Sequence, residues 1–251
     1  MDISKAIDQA INLIRKSNYI VALSGAGIST EAGIPDFRGP SGIWKEPGLM
    51  DRLSITGFRN DPETFYQISV KLFATIARAQ PTSAHRLLVR LEQMGKLKAV
   101  ITQNIDGLHS AAGSSNVYEL HGTYRTGHCP QCGLAFEMAE FYSQIEQGKL
   151  RVPLCIRCSV PIKPDVVLFE ELLPSEAWNG AVRAASACDL MLILGSSLVV
   201  YPAAELPMIA YENGAQLVIV NLGSTSYDHL AAVTIQQQLG EFAEKVLAAL
   251  S

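Results

Sequence analysis

The sequence predicts an α/β fold, a Rossmann-like parallel sheet with a smaller inserted zinc-binding domain. Three observations carry that expectation. Short apolar runs alternate with segments of helical period, as in a parallel sheet covered by helices. The runs end in small or polar residues, and four cysteines fall into two C-x-x-C pairs. At 251 residues, against roughly 150 per domain, the chain suits one large or two unequal domains.

Each element has its own signal. Ile3, Ile7, Ala10, Ile11 and Ile14 recur at helical spacing and predict an amphipathic helix. Residues 19–23 read as a buried strand. Ala84, Leu87, Leu88, Leu91 and Met94 form a second helical stripe, stopped by Gly95. Further strands are expected at 98–101, 117–120, 190–194 and 216–220, and Phe242, Val246, Leu247 and Leu250 mark a closing helix. There is no internal repeat and no low-complexity stretch. The strands end, in order, in Ser24-Gly25-Ala26-Gly27-Ile28-Ser29, Thr102-Gln103-Asn104-Ile105-Asp106, His121-Gly122, Gly195-Ser196-Ser197 and Asn221-Leu222-Gly223-Ser224-Thr225. Ligands of open parallel sheets bind beyond the carboxyl ends of the strands. Five such ends predict one shared site.

Composition excludes several classes. Apolar residues make up 48% and charged residues 18%, the reverse of a disordered chain. The net charge of −4 argues against a phosphate-backbone coat, so no direct nucleic-acid partner is expected. No apolar run reaches the 18 residues of a membrane span. Met1-Asp2-Ile3-Ser4-Lys5 lacks the basic-then-apolar pattern of a secretory signal. A cytoplasmic, monomeric chain without a membrane partner is the expectation.

Cys129-Pro130-Gln131-Cys132 and Cys155-Ile156-Arg157-Cys158 are separated by 22 residues, slightly more than the usual zinc-ribbon gap. Two C-x-x-C knuckles complete a tetrahedral Zn–S4 shell, and Gly133 supplies the residue with positive φ that such a turn favours. A disulfide needs an oxidising compartment, and redox C-x-x-C motifs come singly. Cys129, Cys132, Cys155 and Cys158 are therefore expected to hold a structural Zn2+, with no position open for water. Cys188, ahead of an apolar strand, reads as a small core residue.

The turn after the first strand suits close backbone approach to a pyrophosphate. Gly25 and Gly27 match the first two glycines of G-x-G-x-x-G, but Thr30 stands at the third, and Glu46 is a poor candidate for the usual ribose carboxylate. An ordinary dehydrogenase is disfavoured, and a plain structural turn stays open. Asn221 and Gly223 suit an adenosine ribose and base, or simply end a strand. His121, level with Asn104 and Asp106, suits a general base near neutral pH. His85, His109, His128 and His229 take a structural default. There is no Gly-x-Ser-x-Gly elbow, so serine hydrolase chemistry has little support.

Taken in order, Gly25-Ala26-Gly27-Ile28-Ser29, then Gly33-Ile34-Pro35-Asp36-Phe37-Arg38-Gly39, Thr102-Gln103-Asn104-Ile105-Asp106, His121-Gly122, the four cysteines, Gly195-Ser196-Ser197 and Asn221 resemble the sirtuin family of NAD-dependent protein deacylases, especially its undifferentiated bacterial and archaeal branch. The resemblance implies a Rossmann-like domain over 1–35, 77–121 and 164–251. It implies a small domain over 36–76 and 122–163. NAD and an acyl-lysine protein substrate would meet between them. It carries Gly25, Ala26, Gly27, Thr30, Asp36, Phe37, Arg38, Gln103, Asn104, Ile105, Asp106, Gly195, Ser196, Ser197, Asn221, Leu222 and Gly223 to the cofactor. Phe37 would shield the reactive ribose carbon, Asn104 would order the ribose and a water, and Asp106 would bind the nicotinamide carboxamide. The acyl oxygen would attack the ribose carbon as nicotinamide leaves, and His121 would then take a ribose hydroxyl proton. The implied activity is NAD-dependent protein-lysine deacetylation, with mono-ADP-ribosyl transfer on the same scaffold as the alternative. A zinc-and-nucleotide module without catalysis is the third possibility, and the His121-Gly122 pair argues against it.

By the same resemblance, residues 166–169 form the strand beneath the acyl-lysine. Val167, Phe169 and Val199 would contact the substrate, and its backbone would pair between that segment and residues 197–200. Here the chain departs from the family's Phe-Gly-Glu and reads Phe169-Glu170-Glu171. Glu170 could face the peptide or point to solvent. Family members that prefer succinyl-lysine carry a Tyr-x-x-Arg pair, whereas here Tyr66 is followed by Ser69. Phe65, Ile68, Val70, Leu72 and Phe73 make that stretch apolar, and Lys71 is expected on the solvated face.

Overall fold

A computed structural model of the chain describes residues 2–36 and 47–250. Nine strands appear among them: β1 Ile20–Ser24, β2 Leu97–Thr102, β3 Val117–Glu119, β4 Gly122–His128, β5 Ala135–Glu137, β6 Lys163–Val166, β7 Leu190–Leu194, β8 Gln216–Val220 and β9 Val233–Ile235. The helices are α1 Ile3–Lys16, α2 Leu49–Arg52, α3 Ile55–Asn60, α4 Pro62–Arg78, α5 Ser83–Gln93, α6 Leu108–Ala112, α7 Ala139–Glu146, α8 Ser175–Ala187, α9 Leu206–Glu212 and α10 Leu239–Ala249.

Six strands form one sheet in the order β3-β2-β1-β7-β8-β9, paired in parallel throughout. The order reverses between β1 and β7, so both carboxyl ends meet at a topological switch point. All five expected strands are present. β9 was not anticipated, because three residues, Val233 to Ile235, are too short to show a period.

Helices cover both faces. Ile14 of α1, Leu87, Leu88 and Leu91 of α5, and Phe242 and Val246 of α10 pack against Ile20, Ala22, Leu192 and Val218. Ala181 and Ala185 of α8 and Ala210 of α9 cover Val21, Leu23, Met191 and Ile193 on the other face. The α1 stripe is the predicted one. Asp2 caps that helix by accepting from the Ser4 amide at 3.2 Å.

A second unit packs α4 and α7 against an antiparallel sheet of order β5-β4-β6. These strands were not anticipated within the zinc segment. Its core is aromatic: Phe65 meets Phe58 at 5.2 Å and Tyr66 at 5.5 Å, both edge to face. The expected strand over 166–169 stops early. Only Val166 belongs to β6, and Phe169 instead bridges to Ser54 beside α3.

The chain crosses between the two units at His121-Gly122. Gly122 has φ +71°, and a Cβ there would lie 1.9 Å from the Asp165 carbonyl oxygen. Only glycine fits where β4 and β6 run this close. Among the described residues, no helix is long and apolar enough to cross a membrane.

Candidate active site

A cavity of about 1130 Å³ opens at the carboxyl edge of the large sheet, against the small unit. Its wall includes Gly25, Ala26, Gly27, Thr30, Asp36, Gln103, Asn104, Ile105, His121, Val167, Phe169, Gly195, Ser196, Ser197, Asn221, Leu222 and Gly223. Residues from all five predicted strand ends therefore come together. Phe37 and Arg38 lie outside the described residues. Asp106 and Val199 are not on the wall.

The glycines of the first turn line the cavity and also make a close contact with the end of β7. Gly25 N donates to Leu194 O at 3.1 Å and Gly27 N to Gly195 O at 2.9 Å. A Cβ on Gly27 would sit 2.6 Å from the Gly195 Cα, and one on Gly195, at φ +63°, would sit 2.6 Å from the Gly27 Cα. The β1 and β7 ends are zipped backbone to backbone, and this contact excludes side chains. The pair forms the floor of the cavity; its glycines serve each other first.

Asn104 is buried and tightly oriented. Its amide Nδ2 donates to Gly25 O and to Ser29 Oγ, both at 3.2 Å, and its backbone N–H donates to Thr102 Oγ1 at 3.1 Å. Gln103 Nε2 donates to Ser196 Oγ at 2.9 Å, tying the β2 and β7 ends together. Asp106 supports this arrangement from behind. Its Oδ2 accepts from Ser29 Oγ at 2.7 Å and its Oδ1 from Leu108 N at 2.9 Å. Burial pushes its carboxyl pKa up, against the lowering effect of those bonds. Both oxygens are thus turned inward, which is why Asp106 is missing from the wall.

His121 lies within hydrogen-bond reach of the Gln103 carbonyl, with Nδ1 2.8 Å from the oxygen. A carbonyl can only accept, so Nδ1 carries the proton and Nε2 is the acceptor nitrogen. That tautomer is the one a general base needs. The same residue anchors the substrate segment, because Val167 N donates to His121 O at 2.8 Å.

The remaining histidines serve structure. His85 and His109 are buried with ring centroids 4.7 Å apart. His109 Nε2 meets Ser24 Oγ at 2.8 Å, and Ser24 Oγ donates to Thr102 Oγ1 at 2.9 Å. Burial pushes His85 down to about 4 and His109 down to about 3, so both are neutral at pH 7. His128 pairs with Asp165 at 2.6 Å, and His229 is exposed.

The four cysteine sulfurs lie within 4.8 Å of one another, and Cys132 and Cys155 approach to 3.8 Å. A tetrahedron of Zn–S bonds of about 2.3 Å has sulfurs about 3.8 Å apart, so the donor set fits zinc. The two knuckles repeat one pattern. Gly133 N donates to Cys129 O and Ser159 N to Cys155 O, while Cys129 N and Cys155 N donate to Leu134 O and Val160 O. Gly133 and Ser159 both take positive φ, at +71° and +55°. The glycine expected at the first knuckle has a serine counterpart at the second.

The apolar wall includes Phe65, Ile68, Leu72 and Phe73, as the sequence suggested, but Val70 is buried in the small core. Tyr66 is turned away and donates its hydroxyl to Ile162 O at 2.6 Å. Lys71, expected to face only solvent, is exposed and also borders the cavity. Leu49 and Leu53 were missed, although their spacing of four was a usable sign of one helical face.

The Sir2 family model matches residues 25–202. An NAD-dependent protein deacetylase of Thermotoga maritima is 44% identical over 94% of this chain and 95% of its own length. An NAD-dependent protein deacylase 2 of Archaeoglobus fulgidus is 42% identical over 96% and 94%. Among solved structures, a Sir2 complex with a p53 peptide and NAD+ superposes with a TM-score of 0.89 at 42% identity, covering 98% of this chain and 99% of that one. Sir2Tm bound to a propionylated peptide gives 0.89 at 40% identity over 97% and 98%. A family model that spans most of the chain, and relatives more than 40% identical over nearly its whole length, show that this chain belongs to the Sir2 family.

Proposed function

We infer that the chain is an NAD-dependent protein-lysine deacetylase acting on acyl-lysine proteins. It moves the acyl group to ADP-ribose with release of nicotinamide, and one water completes the reaction by freeing the lysine amine and leaving acyl-ADP-ribose. The observation that carries this reading is His121, with its proton fixed on Nδ1 by Gln103 O and its ring on the cavity wall. NAD supplies an electrophilic ribose carbon and a leaving group that is already cationic. The protein therefore needs mainly positioning and one base.

The wall suits those tasks. Gly25, Ala26, Gly27 and Thr30, with Asn221, Leu222 and Gly223 opposite, offer a backbone-rich cradle for the dinucleotide, and Ile105, Ser196 and Ser197 border it. Asn104, with its amide donors engaged, presents Oδ1 to a ribose hydroxyl or an ordered water. His121 Nε2 accepts a ribose hydroxyl proton, which lets the neighbouring hydroxyl take over the acyl group. Val167, Phe169 and the apolar face of α4 hold the lysine stem and keep water away. Val199, exposed at 55%, belongs to the peptide-facing rim in this reading. The four cysteines hold zinc away from the chemistry, as a brace for the small unit. The chain acts as a monomer in this reading, and zinc-binding thiolates, which must stay reduced, suit the cytoplasm.

Incubation with NAD and an acetyl-lysine peptide, with mass detection of products, tests the reading. Free lysine peptide, nicotinamide and acyl-ADP-ribose in equal amounts are expected. ADP-ribose attached to protein, with the acetyl group left in place, would instead indicate mono-ADP-ribosyl transfer.

A further inference from the structure

Three non-glycine residues among those described have positive φ: Ser159 in a zinc knuckle, Glu170 at +75° and Leu198 at +54°. Glu170 lines the cavity, and Leu198 follows Ser197, which lines it too. Left-handed backbone is strained for a residue that bears a side chain, so it persists only where surrounding contacts hold it. For Leu198 the contacts are its own burial and a bond from its N–H to Ser196 Oγ at 3.2 Å. For Glu170 they reach to α3, 114 residues away in the sequence. Its Oε2 accepts from Thr56 Oγ1 at 2.6 Å and from Thr56 N at 3.3 Å. Next to it, Ile55 N donates to Phe169 O at 3.1 Å.

The adjacent acid works in the opposite direction. Glu171 Oε2 pairs with the buried Lys163 Nζ at 2.8 Å and accepts from Leu168 N at 2.9 Å, folding the segment back onto its own strand. Val167 and Phe169 thus lie in a loop fastened at one end within β6 and at the other to α3. A glycine at 170 would adopt the same φ without strain but would have no side chain to make the second fastening.

We propose that Glu170 is a positioning residue for the acyl-lysine: by tying the substrate loop to Thr56 it sets the wall containing Val167 and Phe169 before the peptide arrives. This rests on the deacetylase reading. Preorganisation of this kind lowers the ordering cost of binding, so its loss shows in peptide affinity more than in turnover.

The test compares Glu170→Ala, Glu170→Gly and Glu170→Gln, with Thr56→Val striking the same link from the other side. Acetyl-peptide Kd by calorimetry and steady-state KM and kcat are the readouts. Ala and Gly are expected to raise peptide Kd and KM about fivefold to tenfold, with kcat at saturating peptide within twofold. Gln, which still accepts from Thr56, should restore affinity to within twofold. Thr56→Val should weaken binding as Glu170→Ala does, and the double variant should add nothing further. The proposal is overturned if Ala and Gly bind within twofold of the parent, if Gly alone restores affinity, if Gln is as weak as Ala, or if the two sites are additive. Turnover of the acetyl peptide by the unmodified chain tests the deacetylase reading separately, so the two failures are distinct.

Discussion

In the large sheet every residue of β1 and of β7 is buried, whereas in the small sheet Gly127 is the one buried residue of β4. The first unit is held by apolar area between two helical layers, at roughly 25 cal/mol per Å² removed from water. The second has an aromatic cluster, a few polar ties and four thiolates gathered at one end. The cavity takes Gly25, Asn104 and Gly195 from the strand ends of the first and Phe65, Leu72 and Val166 from the second. Asn104 is buried and His121 half-buried, each held by hydrogen bonds to neighbouring strand ends, while the loop of Val167 and Phe169 depends on local fastenings. The two sides of the cavity are thus held by different means, apolar burial on one and a few polar ties on the other.

Removing the metal should break the comparison most strongly. Structural zinc contributes about 10–16 kcal/mol of apparent folding energy in small zinc peptides at neutral pH. Cys129→Ala should abolish bound zinc and loosen the small unit, while the six-stranded sheet, whose core contains no cysteine of the cluster, keeps its far-UV signal. Elemental analysis with hydrogen exchange resolved by segment checks this. Full protection of β4 without zinc would contradict it.

His121→Ala probes the other side. Loss of a general base costs about 10²- to 10⁴-fold, so deacetylation should fall by at least about 10²-fold. Exchange of nicotinamide into NAD in the presence of acetyl peptide should persist, because the histidine acts after the glycosidic bond breaks. Near-normal deacetylation would remove His121 from the mechanism.

The sheet's stability should also depend on pH through His85 and His109. Their unfolded values lie near 6.5, and their folded values are pushed down to about 4 and about 3. Stability from these groups is complete above pH 6.5. As pH falls, the unfolded chain takes protons that the native state refuses, at about 1.4 kcal/mol per pH unit per histidine, until the native rings protonate near 4 and 3. A loss of a few kcal/mol between pH 7 and 5 is expected in urea unfolding. A folded His85→Gln variant should show a shallower slope, and an unchanged slope would acquit the pair.

How much of this was legible in the sequence follows the same division. Strands buried on both faces read as continuous apolar runs, so β1, β2, β7 and β8 were visible, as were the polar residues at their ends. β4 and β6 carry half-buried residues such as Thr123, Thr126 and Asp165, and their pairing depends on long-range ties that a local pattern does not show. Asp106 was expected to face the cofactor. Its inward turn toward Ser29 was not, because the partner lies 77 residues away. Glu170 was visible as a departure, yet its contact with Thr56 spans 114 residues and leaves no local sign.

The smallest expected effect concerns the grip itself, and which acyl group it takes. Ile68 and Leu72 line the cavity, Ser69 Oγ is bound back to Phe65 O at 2.8 Å, and Tyr66 gives its hydroxyl to Ile162 O. A succinyl carboxylate entering here would lose water with neither a tyrosine nor an arginine to receive it, and burying an unpaired charge is costly. Lys71 borders the cavity, but it is exposed, and an exposed pairing contributes only about 0–1 kcal/mol. An acetyl group, or a longer neutral chain, instead gains up to about 0.8 kcal/mol per buried methylene. The expected kcat/KM for acetyl-lysine therefore exceeds that for succinyl-lysine on the same peptide by at least about tenfold, or about 1.4 kcal/mol. Lys71→Met should leave the acetyl value within twofold and lower the residual succinyl rate. A preference for succinyl-lysine that disappears in Lys71→Met would show that this lysine takes the arginine's role, and that the grip is polar where the helix face reads apolar.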